Sequence, residues 1–144
     1  MNPLRWMSNL LRERDVRKPV APQFLRAFNR TRGTLLATCL QVADSGPARQ
    51  RGLLGRNGLA EGEGLWIIPC ESVHTFFMRF AIDLVYLDRK RRVRKVRSGV
   101  GPWRLSACIS AHSVLELAAG TVRSTGTQRG DSLEFEPAAP VNDQ

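Results

Sequence analysis

The sequence predicts an all-β fold, a sandwich or a barrel, and three observations lead there. Roughly seven short apolar segments follow one another along the middle of the chain, each bounded by turn residues, which is the pattern of strands joined by tight connections. Only one brief stretch reads as helix. The 144 residues include 12 Gly and 8 Pro, which suits a loop-rich, strand-rich body better than a helical bundle. The length is that of one domain with tails. A hydrophobic content of 42% with 24% charged residues is ordinary for a globular chain.

Residues 1–33 contain Pro3, Pro19 and Pro22 and have no sustained periodicity, so they read as a basic, disordered extension. From Thr34, residues Leu36, Thr38, Leu40 and Val42 alternate with Leu35, Ala37, Cys39 and Gln41, a strand. Asp44-Ser45-Gly46-Pro47 then stops the strand and starts a helix, since Pro suits the first helical position. That helix is expected from Pro47 to Leu54, ending at Gly55. Too short to persist alone, it must dock through Ala48, Leu53 and Leu54. After turns at Asn57-Gly58 and 61–64, Leu65–Ile68 reads as a buried strand halted by Pro69. Phe76-Phe77 and Leu84–Leu87 read as strands apolar on both faces. Asp88–Arg97 is a hairpin turn with its return strand, and Ser98–Leu105 a loop. Ser113–Leu117 is a strand closed by Gly120; a turn at Gly130-Asp131 precedes a last strand carrying Leu133 and Phe135. The β domain therefore spans 34–136, with a disordered tail at 137–144. No internal repeat, heptad pattern or oligomeric state is read from the chain.

Charge is unevenly placed. The net +9 comprises +6 in residues 1–32, seven cations in 89–97 (RKRRVRKVR) and −4 in the rest. A mildly acidic body with two basic additions differs from a nucleic-acid binder that is basic over one whole face. Three cysteines without a C-x-x-C pair argue against a disulfide framework and suit a reducing compartment. No apolar run approaches the roughly 20 residues of a membrane span, and Arg5 and Arg12 interrupt any signal-peptide core. A cytoplasmic location follows, with peripheral membrane contact open through the amphipathic start, Leu4 to Leu11.

Several motifs carry a family resemblance. RGLLGR (Arg51–Arg56), IIPCESVHTFFMRFAIDLVYLD (Ile67–Asp88), PWR (Pro102–Arg104), VLELAAG (Val114–Gly120) and GD (Gly130–Asp131) together resemble the bacterial branch of the domain-of-unknown-function family number 192. The resemblance covers about residues 34–136. It implies a compact β domain of the jelly-roll-like sandwich type; with the reading of the residues, the expectation is a single-domain jelly-roll-like β-sandwich or flattened barrel with one short helix near residues 47–54. It implies no activity, cofactor or catalytic residue. The family usually carries Gly in the hairpin turn where this chain has Lys90-Arg91. If the turn needs positive φ, a side chain there costs roughly 1–2 kcal/mol.

The polar break inside Leu65–Asp88 is where chemistry would be placed. His74 with Cys70 and Asp83 is an inventory for nucleophilic catalysis, the His taking a thiol proton and the carboxylate orienting it. Equally, His74 and Asp83 can satisfy backbone groups at a strand crossing. Cys70-x-x-x-His74 and Cys108-x-x-x-His112 repeat one spacing, but Pro69 excludes a regular helix and no metal is assigned. Arg79 and Asp83 are read as a bridge across the irregular segment, and Trp103 as a lid or a barrel-end plug. Glu116 shares a strand face with Val114, opposite Leu115 and Leu117, and is either exposed or a pocket carboxylate.

Three functions are weighed. The first is a binding module for a small or peptide-like, anionic ligand, its site formed by His74, Thr75, Arg79, Asp83, Trp103 and Arg104. The second is a hydrolase- or lyase-type enzyme using His74 with Cys70 or Asp83. The third is an accessory protein that contacts nucleic acid weakly, or an anionic membrane, through Arg89, Lys90, Arg91, Arg92, Arg94, Lys95 and Arg97. The same cations also suit a hairpin that discourages edge-to-edge pairing. No cofactor is implied.

Overall fold

Nine strands and two short helices build the fold, in a computed structural model that describes residues 24–138. In chain order they are β1 (Leu25–Asn29), β2 (Thr34–Ala43), α1 (Gly46–Arg51), β3 (Glu63–Ile67), β4 (Ser72–His74) and β5 (Ile82–Leu87). β6 (Val93–Val100), β7 (Leu105–Ala107), β8 (Ser113–Ala118), α2 (Thr121–Thr125) and β9 (Leu133–Pro137) follow. Seven strands form one sheet in the order β6-β5-β8-β3-β2-β1-β9, and β4 pairs with β7 in a separate ribbon. All pairs are antiparallel except β2 with β3. The sheet curls into a half-barrel whose two edge strands meet at one end. There Arg92 bridges Ser132, the Val93 amide donates to the Asp131 carbonyl at 2.8 Å, and that of Leu133 donates to the Arg91 carbonyl at 3.0 Å. This is the all-β, single-domain class that the strand count predicts.

The alternation of side chains sorts the core into two layers. Leu36, Leu40, Trp66, Val85, Leu115 and Leu117 fill the concave interior. Leu65, Ile67, Leu84, Tyr86 and Val114 point to the convex face, where they are covered by Val73 and Met78 and by Leu53 after α1. Every residue of β5 and β8 is buried. At Gly64 a Cβ would lie 2.8 Å from Leu117 Cδ2 and 2.9 Å from the Glu116 carbonyl oxygen, so only glycine lets β3 sit this close to β8.

Four local expectations are revised. β1 lies inside the segment read as extension; it is a strand because it is sandwiched between β2 and β9, a tertiary cause that five residues do not advertise. Phe76-Phe77 is a turn, since Phe77 has φ 64°, which no strand admits; the strand is instead Ser72–His74. α1 starts at Gly46, with the Ser45 hydroxyl accepting from the Ala48 amide, and closes at Gly52 rather than Gly55. The loop read from Ser98 to Leu105 is shorter, because β6 runs on to Val100 through a register shift. Residues 1–23 and 139–144, read as disordered, lie outside the described residues.

Asp83 holds this register shift and α2 together. It is fully buried on the concave side of β5. One oxygen accepts from the Gly99 amide at 2.8 Å. The other accepts from the Gly120 amide at 3.1 Å and the Val122 amide at 2.8 Å. α2, which periodicity could not reveal at five residues, lacks a side-chain cap at Gly120; the Asp83 carboxylate does that work across the sheet. We expect Asp83→Ala to lower urea unfolding stability by about 3 kcal/mol or more, because three backbone amides, that of Val122 buried, lose their carboxylate acceptor. A loss below about 1 kcal/mol would show that water replaces it.

Candidate functional site

β8 places a carboxylate where the convex layer has a gap. Leu115 and Leu117 face the interior while Val114 and Glu116 face outward. Glu116 pairs with Leu65 on one side and Leu84 on the other, so its surroundings are apolar and it is 4% exposed. Burial pushes its carboxyl up from 4.5 to about 7, although the Arg56 charge pulls the other way. Its Oε2 atom is buried without a hydrogen-bond partner. It forms the floor of a cavity of about 430 Å³, walled by α1 and Leu53 on one side and by Pro69–His74 on the other.

Two cations and one acid, Glu71 on the opposite wall, line the rim. Arg49 and Arg51 come from α1. Arg49 Nη1 donates to the Asp44 carbonyl at 2.9 Å and the Ile68 carbonyl at 3.4 Å, which fixes the helix to the end of β3. Cys70 lines the opposite wall. Its amide donates to the His112 carbonyl at 2.9 Å, and its Sγ to the Ser72 carbonyl at 3.1 Å. Burial raises the thiol pKa above 9.0, more than the Ser72 hydrogen bond lowers it, and nearby Glu116 adds to the rise. It is a protonated thiol near neutral pH.

Of the six ligand-binding candidates only His74 lines this cavity. Thr75 is buried and ties two loops, its hydroxyl donating to the Gly101 carbonyl at 2.7 Å and accepting from the Arg104 amide at 2.9 Å. Arg79 Nη1 donates to Asn57 Oδ1 at 2.7 Å rather than to Asp83. Asp83 serves backbone amides on the other face of the sheet. Trp103 is exposed and packs on Phe76 and Phe77, while Arg104 is exposed beside it. Asp83 therefore lies on the opposite face of the sheet from His74, and Arg104, near His74 along the ribbon, does not line the cavity. The β4–β7 pairing does bring the two Cys-x-x-x-His segments side by side, with the Cys108 amide donating to the Glu71 carbonyl at 2.8 Å. Among the described residues, no three metal-ligating side chains cluster.

The seven cations of 89–97 divide. Asp88 Oδ1 accepts from the Lys90 and Arg92 amides, both at 2.9 Å, shaping the turn. The Lys90-Arg91 turn does contain a positive φ, 63° at Arg91. Its guanidinium lies 5.5 Å from the Trp66 ring centre and 5.3 Å from that of Phe135, two rings stacked at 4.0 Å; these contacts offset the backbone strain. Arg94 donates to Ser110 Oγ, Lys95 to the Ala107 carbonyl and Arg97 to the Leu105 carbonyl. Those two carbonyls belong to β7, so the cations cover a strand edge that has no strand partner. Arg89, Lys90 and Arg92 stay exposed.

Sequence reasoning missed Arg49 and Arg51 at the site, because only the crossover brings α1 to it. Glu116 had a signal, a lone carboxylate in the apolar run Val114–Leu117, without any indication of which side was covered.

A half-barrel sheet with a covered convex face and a carboxylate-floored cavity defines a small all-β domain. This chain belongs to the DUF192 family, described as an uncharacterized ACR, whose profile matches residues 27–135. It is similar to UPF0127 proteins of Thermococcus gammatolerans, 29% identical over 115 residues, and Thermococcus sibiricus, 28% identical over 115 residues. These matches cover 76% of this chain and, respectively, 74% and 73% of the relatives. Two crystal structures share the fold. One, a "putative transcription regulator" of Sinorhizobium meliloti, has a TM-score of 0.70 at 22% identity, covering 80% of this chain and 94% of that one. The other, a protein of unknown function from Novosphingobium aromaticivorans, has a TM-score of 0.67 at 18% identity, covering 81% and 89%. No helix among the described residues is long and apolar enough to cross a membrane.

Glu116 makes a pH prediction. Its carboxyl is held protonated in the folded chain at pH values where the unfolded chain ionises it, so stability falls as pH rises from about 4.5 to about 7 and is level above. Glu116→Gln removes this decline and should exceed the wild type at pH 8 by on the order of 3 kcal/mol, the two converging near pH 4. Denaturant melts at several pH values measure this; parallel curves would mean a solvated carboxylate. Cys70 should react with a maleimide far more slowly than a free thiol at neutral pH, at a rate unchanged by His74→Ala. A rate that drops in His74→Ala would reveal an activated thiolate.

Proposed function

We propose that the protein is a binding module for a small or peptide-like ligand, held in the cavity between α1 and Pro69–His74. The ligand places an N–H donor, an ammonium or amide, against Glu116 and an anionic end against Arg49 and Arg51. One observation carries this reading: Glu116, a buried carboxylate with one oxygen lacking a partner, lines a cavity. An unsatisfied buried acceptor costs about 1–3 kcal/mol, and a donor brought by a ligand recovers it. The cavity of about 430 Å³ is of the size that small ligands fill, and its lining mixes apolar residues such as Leu53, Ile67, Val73 and Met78 with polar and charged ones. The expected anionic ligand is thereby refined: negative charge belongs at the rim, and a donor belongs at the floor.

The reading also accounts for the chemistry around it better than catalysis by His74 does. The Cys70 thiol is held protonated and spends its hydrogen on Ser72, and Asp83 orients no imidazole. A pocket built to bind, with His74 at its edge, needs neither of them.

Isothermal titration against free amino acids and dipeptides, which carry both groups, tests the proposal. Binding should strengthen as pH rises through about 7, where Glu116 ionises in the empty pocket. Glu116→Leu should weaken it about 30-fold or more, the loss of ~2 kcal/mol typical of a buried charged partner. Arg49→Ala should weaken carboxylate-bearing ligands more than their amides. Ligands that bind equally well to Glu116→Leu would refute the site.

A further inference from the structure

The β4–β7 ribbon carries a second surface, which meets the pocket only at His74. Its outer side presents Leu105 at 70% exposure, Phe77 at 72% and Trp103 at 56%. The last two touch, with ring centres 4.7 Å apart, and Phe76 links Trp103 to His74 through centroid distances of 5.8 Å and 5.0 Å. Leu105 is paired across the ribbon with His74, so these groups form one continuous ridge. Phe77 and Trp103 both have left-handed backbones, with φ 64° and 62°. Each such conformation costs a non-glycine residue roughly 1–2 kcal/mol. The chain thus bears strain in two loops that hold large aromatic side chains outward.

Cations border the ridge. Arg97 reaches the Leu105 carbonyl and Lys95 the Ala107 carbonyl, so both lie along β7. Arg104 follows Trp103 directly, and Arg79 lies two residues after Phe77; both are exposed. Residues 89–115 contain eight Arg and Lys and no Asp or Glu. Glu71 stands at the ribbon's other end, where it opposes Cys108.

From this juxtaposition we infer that the ribbon docks on an anionic lipid surface, with Phe77, Trp103 and Leu105 entering the interface and the flanking arginines and lysine meeting lipid phosphates. Exposed apolar side chains framed by cations are the complement of a negatively charged bilayer surface. Trp and Phe favour the headgroup boundary. Single-stranded nucleic acid is the competing occupant for aromatic and cationic groups. It suits this ridge less well: Phe77 and Trp103 spend ring surface on each other, and Leu105 offers no face on which a base can stack. The inference is independent of the pocket, and its test does not depend on the pocket's ligand.

The test is flotation of the full chain with vesicles of phosphatidylcholine alone or mixed with phosphatidylglycerol. The chain should float with the mixed vesicles, much less with the neutral ones, and release as salt rises. Replacing Phe77, Trp103 and Leu105 together by Ser should reduce binding by about tenfold or more. The single surface change Leu105→Glu, which leaves the loops intact, should reduce it in the same direction, with the circular dichroism spectrum and Tm reporting that both variants remain folded. Unchanged flotation of Leu105→Glu would overturn the inference, as would absence of flotation by the wild type. So would a single-stranded oligonucleotide that binds in place of vesicles and loses affinity in Leu105→Glu. A dimer in analytical ultracentrifugation that dissociates in Leu105→Glu, without vesicle binding, would assign the ridge to a second copy of the chain instead.

Discussion

Both faces of β5 and β8 are buried, and a strand with two apolar faces has to be covered twice. Curling the sheet covers one face, because the interior side chains then fill the concavity of the half-barrel. It cannot cover the other. The convex face of β3, β5 and β8 therefore depends on a second layer, and the chain supplies one from two unrelated pieces, the β4–β7 ribbon and the stretch through α1. Either piece is too short to persist alone; each is held by the apolar surface it shields. That mutual dependence explains why short elements with little intrinsic preference are found at defined places.

Two pieces that meet over one sheet leave a seam, and the seam falls above Glu116. An apolar residue at that position would pack against Leu65 and Leu84 without penalty. The carboxylate instead carries a desolvation cost that its neighbours on β3 and β5 do not relieve. Asp83, one strand away and on the opposite face, shows the contrast. It is as deeply buried, yet three backbone amides meet it, so its role is complete within the fold. The two carboxylates are distinguished by satisfaction rather than by burial, and that separates a group whose bonds are complete within the fold from one left unsatisfied beside a cavity.

Much of the architecture was legible in the residues. Alternation in Thr34–Val42, the buried runs at Leu65–Ile68 and Leu84–Leu87, and the turn residues between them specify strands because period and punctuation are local signals. β1 was not legible, since Leu25–Asn29 is a strand only through its neighbours. Nor was the turn at Phe76-Phe77, whose aromatic composition favours a strand and is overridden by the ribbon crossing. At the site, Glu116 was identified as one of two alternatives by its company on β8, but its neighbours across the cavity come from residues 49–54 and 69–74, which only the packed chain brings together. His74, Asp83 and Arg104 stand out in the sequence as polar groups in an apolar context, and only Asp83 belongs to the other face of the sheet.

β2 and β3 run parallel, and a parallel pair cannot be joined by a tight turn. Residues 44–62 must travel from one end of the sheet to the other, and α1 and Leu53 ride on that passage. The wall they give to the cavity takes no part in the ladder that sets strand register. Insertions or replacements in this passage accordingly reshape what faces Glu116 while leaving the ladder as it is, so chains of this architecture can vary one interchangeable panel without changing strand register.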